Sequence, residues 1–417
     1  MLEKRRTRMS VPRGLGGWTT AWMSLGSGLS RRWSLLNSEA LCGEAIRRTR
    51  LENFGEPPIE PALSVLLNSL EVEADLHPMG RFLMQAHLRE LLENRLRLAE
   101  AWNNKLEALE DSVIQRPVFI TGMPRSGSTF LHELLAEDPE SRVPRVWEVM
   151  FPVRNGQGNE MKKRVRKADA CLWWFRRLAP QADAVYPLRA WTPHECVAIH
   201  SHTLISEEFS TICHVPTYEA FVKAADFGPT YSWQKRFLQY LQLCRPTRQW
   251  ILKSPDHVHS LDSLLKIFPD AMIIQTHRNP FDVLKSAIKL TELLEGTFGR
   301  IEDRSKIAMR ETRNLVEHME CITAYRRAHP ELDRRFIDVK YHELVSDPLA
   351  VVRGIYQRLD LRLTERAAER MQRLASMRSR YKGRPTSPEL ADFEVEESVV
   401  GPRFEAYCSQ FKIPWAA

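Results

Sequence analysis

Eight residues, Gly122-Met123-Pro124-Arg125-Ser126-Gly127-Ser128-Thr129, carry the clearest chemistry in this 417-residue chain. The spacing Gly122 to Gly127, followed by two hydroxyl residues, is that of a phosphate-binding loop. Small residues let several backbone N–H groups converge on one tetrahedral anion, and the N-terminus of a following helix adds a favourable dipole. Arg125, Ser126, Gly127, Ser128 and Thr129 are therefore candidate anion ligands. Ser128 stands where nucleotide-cleaving loops place the lysine that reaches the terminal phosphates. The positive charge sits at Arg125 instead. Such a loop can hold an anion but lacks the usual device for a magnesium-bound triphosphate.

Two further places fit the same chemistry. Arg278 and Ser286 lie eight residues apart in HRNPFDVLKS. The arginine ends an apolar run, and the serine falls about two turns into the helix that Asn279 and Pro280 open. A guanidinium laid along that helix can meet the hydroxyl and form a fork plus a donor for one phosphate. Lys253 ends the run Trp250-Ile-Leu-Lys253. At the C-terminal end of a parallel strand it would face the crevice where open α/β sheets bind ligands.

These residues need a frame, and the surrounding sequence supplies one. Val118-Phe119-Ile120 reads as a strand, and Phe130, Leu131, Leu134 and Leu135 share a helical face after the loop. Further strands are expected at 250–253, 271–276 and 336–340, with helices at about 257–268, after Pro280 and after Pro348. Strands alternating with helices predict an α/β fold with a mostly parallel sheet covered on both faces. Before it, 41–112 reads as a helical extension, in which Leu88, Leu91, Leu92, Leu96 and Ala99 form one buried face. Residues 1–40 read as an irregular basic N-terminus. The α/β domain is expected over 113–417, with a helical insertion at about 160–245 that builds the acceptor side.

Composition narrows the partners. The formal net charge is +7, from 60 Lys+Arg and 53 Asp+Glu, which suits an anionic ligand and falls short of a nucleic-acid binder. Seven scattered cysteines without a CxxC pair point to free thiols in a reducing, cytoplasmic setting. The uncharged run Gly14 to Ser30 holds five glycines and makes a poor membrane span. The basic residues before it leave membrane contact through the N-terminus open. His194, His200 and His202 match no common metal-ligand spacing, so no metal is expected and helix-surface positions are. Lys162 to Lys167 reads as a solvated face. Trp173 and Trp174 fit either core or acceptor-pocket wall.

The stretch FITGMPRSGSTFLHELLAEDP resembles the 5′-phosphosulfate loop of sulfotransferases that use 3′-phosphoadenosine 5′-phosphosulfate (PAPS), with the PRSGST form of the bacterial-type branch. The resemblance continues through WILKSPDHVHSLDSLLKIFPDAMIIQTHRNPFDVLKS to FEAYCSQF, covering roughly 50–412. It implies a P-loop-like sheet, PAPS as co-substrate without a metal, and sulfuryl transfer to a hydroxyl or amine of a small-molecule, lipid or glycan acceptor. It also implies a 3′-phosphate site at Arg278 and Ser286 and a catalytic lysine at Lys253. Basic residues near the C-terminal end also serve the 3′-phosphate in the family. Arg378, Arg380, Lys382 and Arg384 lie in a comparable place, but without the family's cytosolic motif. For the base that takes the acceptor proton, three candidates stand: His257 in KSPDH, which is slightly favoured, Glu148 in WEVMFP, and Glu195 in TPHEC on the acceptor side. The rival readings are a P-loop kinase, which Ser128 disfavours, and a non-catalytic adenosine-nucleotide binder. Oligomeric state is not legible.

Overall fold

In the computed structural model, described over 37–414 except 155–158, 179, 181–186, 246, 302, 380–389 and 394, five strands form one sheet. They are β1 (Val118–Gly122), β2 (Ser141–Arg142), β3 (Gln249–Lys253), β4 (Met272–His277) and β5 (Phe336–Lys340). Their order is β2-β3-β1-β4-β5, and every pairing is parallel. Strands β1, β3 and β4 are buried at every residue, as expected of a sheet covered on both faces.

Alternation along the strands feeds two separate cores. Phe119, Leu252, Ile273 and Phe336 point to one face. Val118, Ile120, Ile251, Ile274 and Val339 point to the other. The first core also takes the N-terminal helices α1 (Ser38–Thr49), α2 (Ala62–Val72) and α3 (Pro78–Asn103). On α3 the stripe Leu88, Leu91, Leu92, Leu96 and Ala99 is buried, as its spacing predicts. The second core packs α4 (Ser128–Leu135) through Leu131, Leu134 and Leu135.

Arg95 ties α3 to the rest. It is fully buried, donates to Phe54 O at 2.8 Å and His202 O at 2.7 Å, and lies 4.7 Å over the Trp233 ring. Desolvation by burial lowers its pKa to about 10.

The connections between strands are helical. The one from β2 to β3 runs through α5 (Val146–Met150), α6 (Glu160–Leu178) and α7 (Gly228–Cys244). After β4 come α8 (Pro280–Phe298) and α9 (Arg304–Ala328). Helix α8 begins as the sequence predicts: Asn279 accepts from Phe281 N at 2.9 Å, and Pro280 needs no hydrogen-bond partner at its first position. Among the described residues no helix is long and apolar enough to cross a membrane. The basic segment at 1–36 and the residues Arg380, Lys382 and Arg384 lie outside the described residues.

Candidate active site

The register of the sheet sets the site. Ile120 lies beside Lys253, and Gly122 lies beside Thr276. The C-terminal ends of β3, β1 and β4 are therefore level. Lys253 closes β3, the loop 122–129 leaves β1, and Arg278 follows β4 directly. Ser254 N donates to Ile120 O at 3.1 Å and Thr121 Oγ1 to Pro255 O at 2.9 Å, which fixes the turn after Lys253 against β1.

The loop is held in an unusual backbone shape. Gly122 (φ 126°) and Gly127 (φ 94°) occupy positive φ, where a Cβ would be strained. A Cβ on Gly122 would overlap Thr276 O, and one on Gly127 would stand 2.8 Å from the Tyr341 ring. Arg125 also has positive φ, 64°, although it carries a side chain. Strain of this kind persists where neighbours impose it, and they do so here. Arg125 Nε donates to Ser286 Oγ at 2.9 Å, while Arg278 Nη1 donates to Arg125 O at 3.1 Å.

The phosphate-loop residues and the second pair thus converge as one cluster. Arg278 stacks over the Tyr341 ring at 4.3 Å, and its Nε is buried without a hydrogen-bond partner. A buried guanidinium N–H in that condition is suited to an anionic acceptor. Ser126 is turned inward, its hydroxyl 2.6 Å from Thr276 Oγ1, so its side chain braces the loop. Ser128 and Thr129 open α4, whose N-terminal N–H groups face the loop.

Lys253 is buried, and its Nζ lies 2.5 Å from a Glu195 carboxylate oxygen. The sequence places these residues 58 apart, and nothing in their spacing announces the contact. His132 sits beneath, with Nε2 3.2 Å from Ile251 O. Burial, aided by the nearby Lys253 cation, lowers its pKa to about 3.

The other base candidates have different surroundings. His257 is buried, with Nδ1 2.8 Å from the Tyr231 hydroxyl and its ring edge-on to Phe119 at 5.0 Å. Burial, with His200 and Lys253 nearby, drives its pKa well below the ordinary histidine value. Glu148 is buried too. One of its oxygens accepts from Arg142 Nη2 at 2.8 Å and the other from Arg145 N at 3.0 Å, so it caps α5 within an ion pair.

Two carboxyls that sequence reasoning passed over, Asp256 and its hydrogen-bond partner Glu207, adjoin the turn after Lys253. Asp256 accepts from Ser254 Oγ at 3.0 Å, and burial plus the charges of Glu207 and Glu195 raise its pKa well above the carboxylate range. Burial raises Glu207 to about 7, opposed by a hydrogen bond with Asp256. The signal was the acid in KSPDH, overlooked beside its histidine.

Other expectations change. His200 and His202 are buried, where helix-surface positions were expected; His200 Nε2 is 2.6 Å from Gln234 Oε1. No cluster of ligands that could hold a metal occurs among the described residues. Within the basic run 162–167, Arg164 is buried and bonds Phe151 O and Pro152 O, so the run is not wholly a solvated face. Trp173 and Trp174 are exposed and belong to no core. A surface hollow of about 320 Å³ between Glu140, Arg142 and Arg248 borders the start of β3, away from Lys253.

Comparison with known proteins agrees with this frame. A model of the sulfotransferase family matches residues 117–365. Omega-hydroxy-beta-dihydromenaquinone-9 sulfotransferase Stf3 of Mycobacterium tuberculosis and of Mycobacterium bovis are each 25% identical to the chain over 276 residues. That match covers 60% of this chain and 64% of theirs, so the chain spans a little under two thirds of these relatives' length. Crystal structures give wider coverage. Sulfotransferase STF1 of Mycobacterium tuberculosis superposes with a TM-score of 0.77 at 28% identity, over 89% of this chain and 98% of that one. Sulfotransferase STF9 of Mycobacterium avium does so with 0.77 at 25% identity, over 92% and 98%. With the family model matching well over half its length, and two bacterial sulfotransferases sharing its fold almost end to end, the chain belongs to the sulfotransferase family.

Proposed function

We propose that this protein transfers a sulfuryl group from PAPS to a hydroxyl acceptor by in-line displacement. The acceptor oxygen bonds sulfur as the S–O bond to the 5′-phosphate breaks. Adenosine 3′,5′-bisphosphate leaves, and the acceptor proton passes to a base. The carrying observation is the convergence of Arg125, Ser286 and Arg278 beside a lysine-free phosphate loop. The loop N–H groups would hold the 5′-phosphate. Arg278 and Ser286 would hold the 3′-phosphate, towards which the partnerless Arg278 Nε is available. Residues 113–417 would form the catalytic unit, with the insertion at 160–245 supplying acceptor contacts.

Lys253 is the proposed electrostatic catalyst. Negative charge grows on the bridging oxygen as sulfur departs, and a buried ammonium there stabilises the transition state more than the ground state. Glu195 is the proposed base, in preference to His257. Its carboxylate already touches Lys253, so a group accepting the proton would stand beside the group stabilising the leaving oxygen. Both oxygens of Glu148 are engaged by Arg142 and Arg145, and His257 is buried against Phe119 with one nitrogen bonded. With the donor bound, Lys253 would turn to the bridging oxygen, and Glu195 beside it would meet the acceptor hydroxyl.

For the acceptor we propose a hydroxylated lipid, the class named in the mycobacterial relatives. The test is calorimetry with adenosine 3′,5′-bisphosphate against magnesium ATP, followed by turnover of sulfur-labelled PAPS with lipid alcohols. Tight, metal-independent bisphosphate binding supports the reading. Tighter magnesium ATP binding turns the site into that of a kinase.

A further inference from the structure

The solvent face of α6 is unlike the rest of the surface. At about 100° per residue, Lys162, Trp173, Arg166, Arg177, Ala170, Lys163 and Trp174 fall within an arc of about 120°. All seven are exposed, Trp173 at 44% and Trp174 at 62%. The opposite face is anchored. Ala168 packs with Trp147, Phe151 and Ala190, and Arg164 lies 4.7 Å over the Trp147 ring. The helix is thus fixed to the molecule by one side and presents two indoles and four cations on the other.

Within the described fold this face makes contacts along its own helix: Trp173 meets Trp174 edge-on at 4.8 Å, and Lys163 pairs with Glu160 at 3.2 Å. Lys162 and Arg166 are like charges one turn apart, which costs a helix a few tenths of a kcal/mol. Among the described residues Glu160 is the acidic partner on this face. Arg177 stacks on Trp173 at 5.0 Å, which leaves its charge facing outward. Leaving two large apolar rings in water forgoes their burial.

We propose that this face docks on an anionic lipid bilayer. Trp prefers the membrane–water interface, where its ring is buried and its N–H stays wet, and the Lys and Arg beside it reach anionic headgroups. An anionic leaflet relieves the like-charge repulsion, and each cation near it adds attraction. The face is convex, a helix side rather than a groove, which fits a flat lipid surface better than an inserted peptide. The docked side is joined to the acceptor segment: Trp147, under α6, meets Trp191 edge-on at 5.8 Å, and Trp191 is half exposed four residues before Glu195. The docking itself does not need the sulfuryl-transfer reading; only the link to the acceptor segment rests on it.

The experiment is co-sedimentation of the full chain with vesicles of phosphatidylcholine alone and of phosphatidylcholine mixed equally with phosphatidylglycerol. Binding is expected only to the anionic vesicles and should fall with salt. Lys162→Gln/Arg166→Gln should weaken it about 25-fold, at about fivefold per cation. Trp173→Ala/Trp174→Ala should weaken it about tenfold or more with the charge unchanged. All the altered residues are exposed, and circular dichroism would verify the fold of each variant. Equal binding by wild type and both variants would overturn the proposal and assign any lipid contact to the basic N-terminus. So would the absence of vesicle binding, or self-association without lipid that the tryptophan variant abolishes, which would make this face a contact between copies.

Discussion

Arg125 Nε donates to Ser286 Oγ at 2.9 Å across 161 residues of chain, and this one bond joins the phosphate loop to the helix after β4. It explains why Arg125 can hold a positive φ. It also places the two anion-binding elements so that one ligand with two phosphates could span them.

The first expectation concerns that ligand. Arg278→Gln should weaken adenosine 3′,5′-bisphosphate by about 10- to 100-fold, the worth of a charge-assisted hydrogen bond. Adenosine 5′-monophosphate, which lacks the 3′ group, should be nearly unaffected. Calorimetry on both nucleotides decides it, since equal losses would move the 3′-phosphate elsewhere.

Lys253 should act on rate. Lys253→Ala is expected to lower kcat by about a hundredfold or more with a smaller change in donor affinity, because its charge matters most in the transition state. The substitution also leaves Glu195 without its ion-pair partner. Lys253→Ala/Glu195→Gln should therefore melt above Lys253→Ala while remaining inactive. A single variant with normal turnover would remove the role.

The assignment of the base is read from the acidic limb of kcat/KM against pH. Glu195→Gln should abolish that limb and most of the rate. Glu148→Gln should keep the limb but destabilise the fold, since it weakens a buried ion pair with Arg142 whose outright disruption would cost about 3–5 kcal/mol. His257→Asn should also keep the limb. Loss of the limb in His257→Asn alone would return the role to the histidine.

Stability should fall steeply on acidification. Burial lowers His132 to about 3, and His200 and His202 to about 4. Unfolded, each titrates near the ordinary value of about 6.5. As pH falls from about 6.5 towards 4, the unfolded chain takes up protons that these folded histidines refuse, so stability is fully present above 6.5 and declines below it. The slope should be about 1.4 kcal/mol per pH unit for each histidine. Urea midpoints between pH 7.5 and 5 measure it, with His200→Gln flattening the curve. A flat wild-type curve would show that these rings are not held neutral.

Much of this frame was legible in the chain because local signals coincide with function. Loop 122–129, the strand ending at Lys253 and the cap at Asn279 each announce themselves by residue type and spacing. Strand β5 falls at 336–340 as read. What escaped is non-local or too short. β2 has two residues, and its pairing to Gln249 and Trp250 leaves no periodicity to find. The 25-residue helix α9 was passed over between stronger motifs. The segment after Pro255 is a 3-10 turn before the α-helix at Leu261, a tightening that puts His257 into the core. The Lys253–Glu195 pair depends on how the insertion folds back over the sheet, and the burial of Glu148 against Arg142 likewise needs the assembled chain.

The most direct measurement is turnover of sulfur-labelled PAPS by the purified protein with hydroxylated lipid acceptors, with Lys253→Ala alongside. The account expects label in the lipid, an equal yield of adenosine 3′,5′-bisphosphate, no requirement for magnesium, and loss of both products in the variant. Bisphosphate binding without transfer to any hydroxyl, or transfer of phosphate from ATP instead, would contradict it.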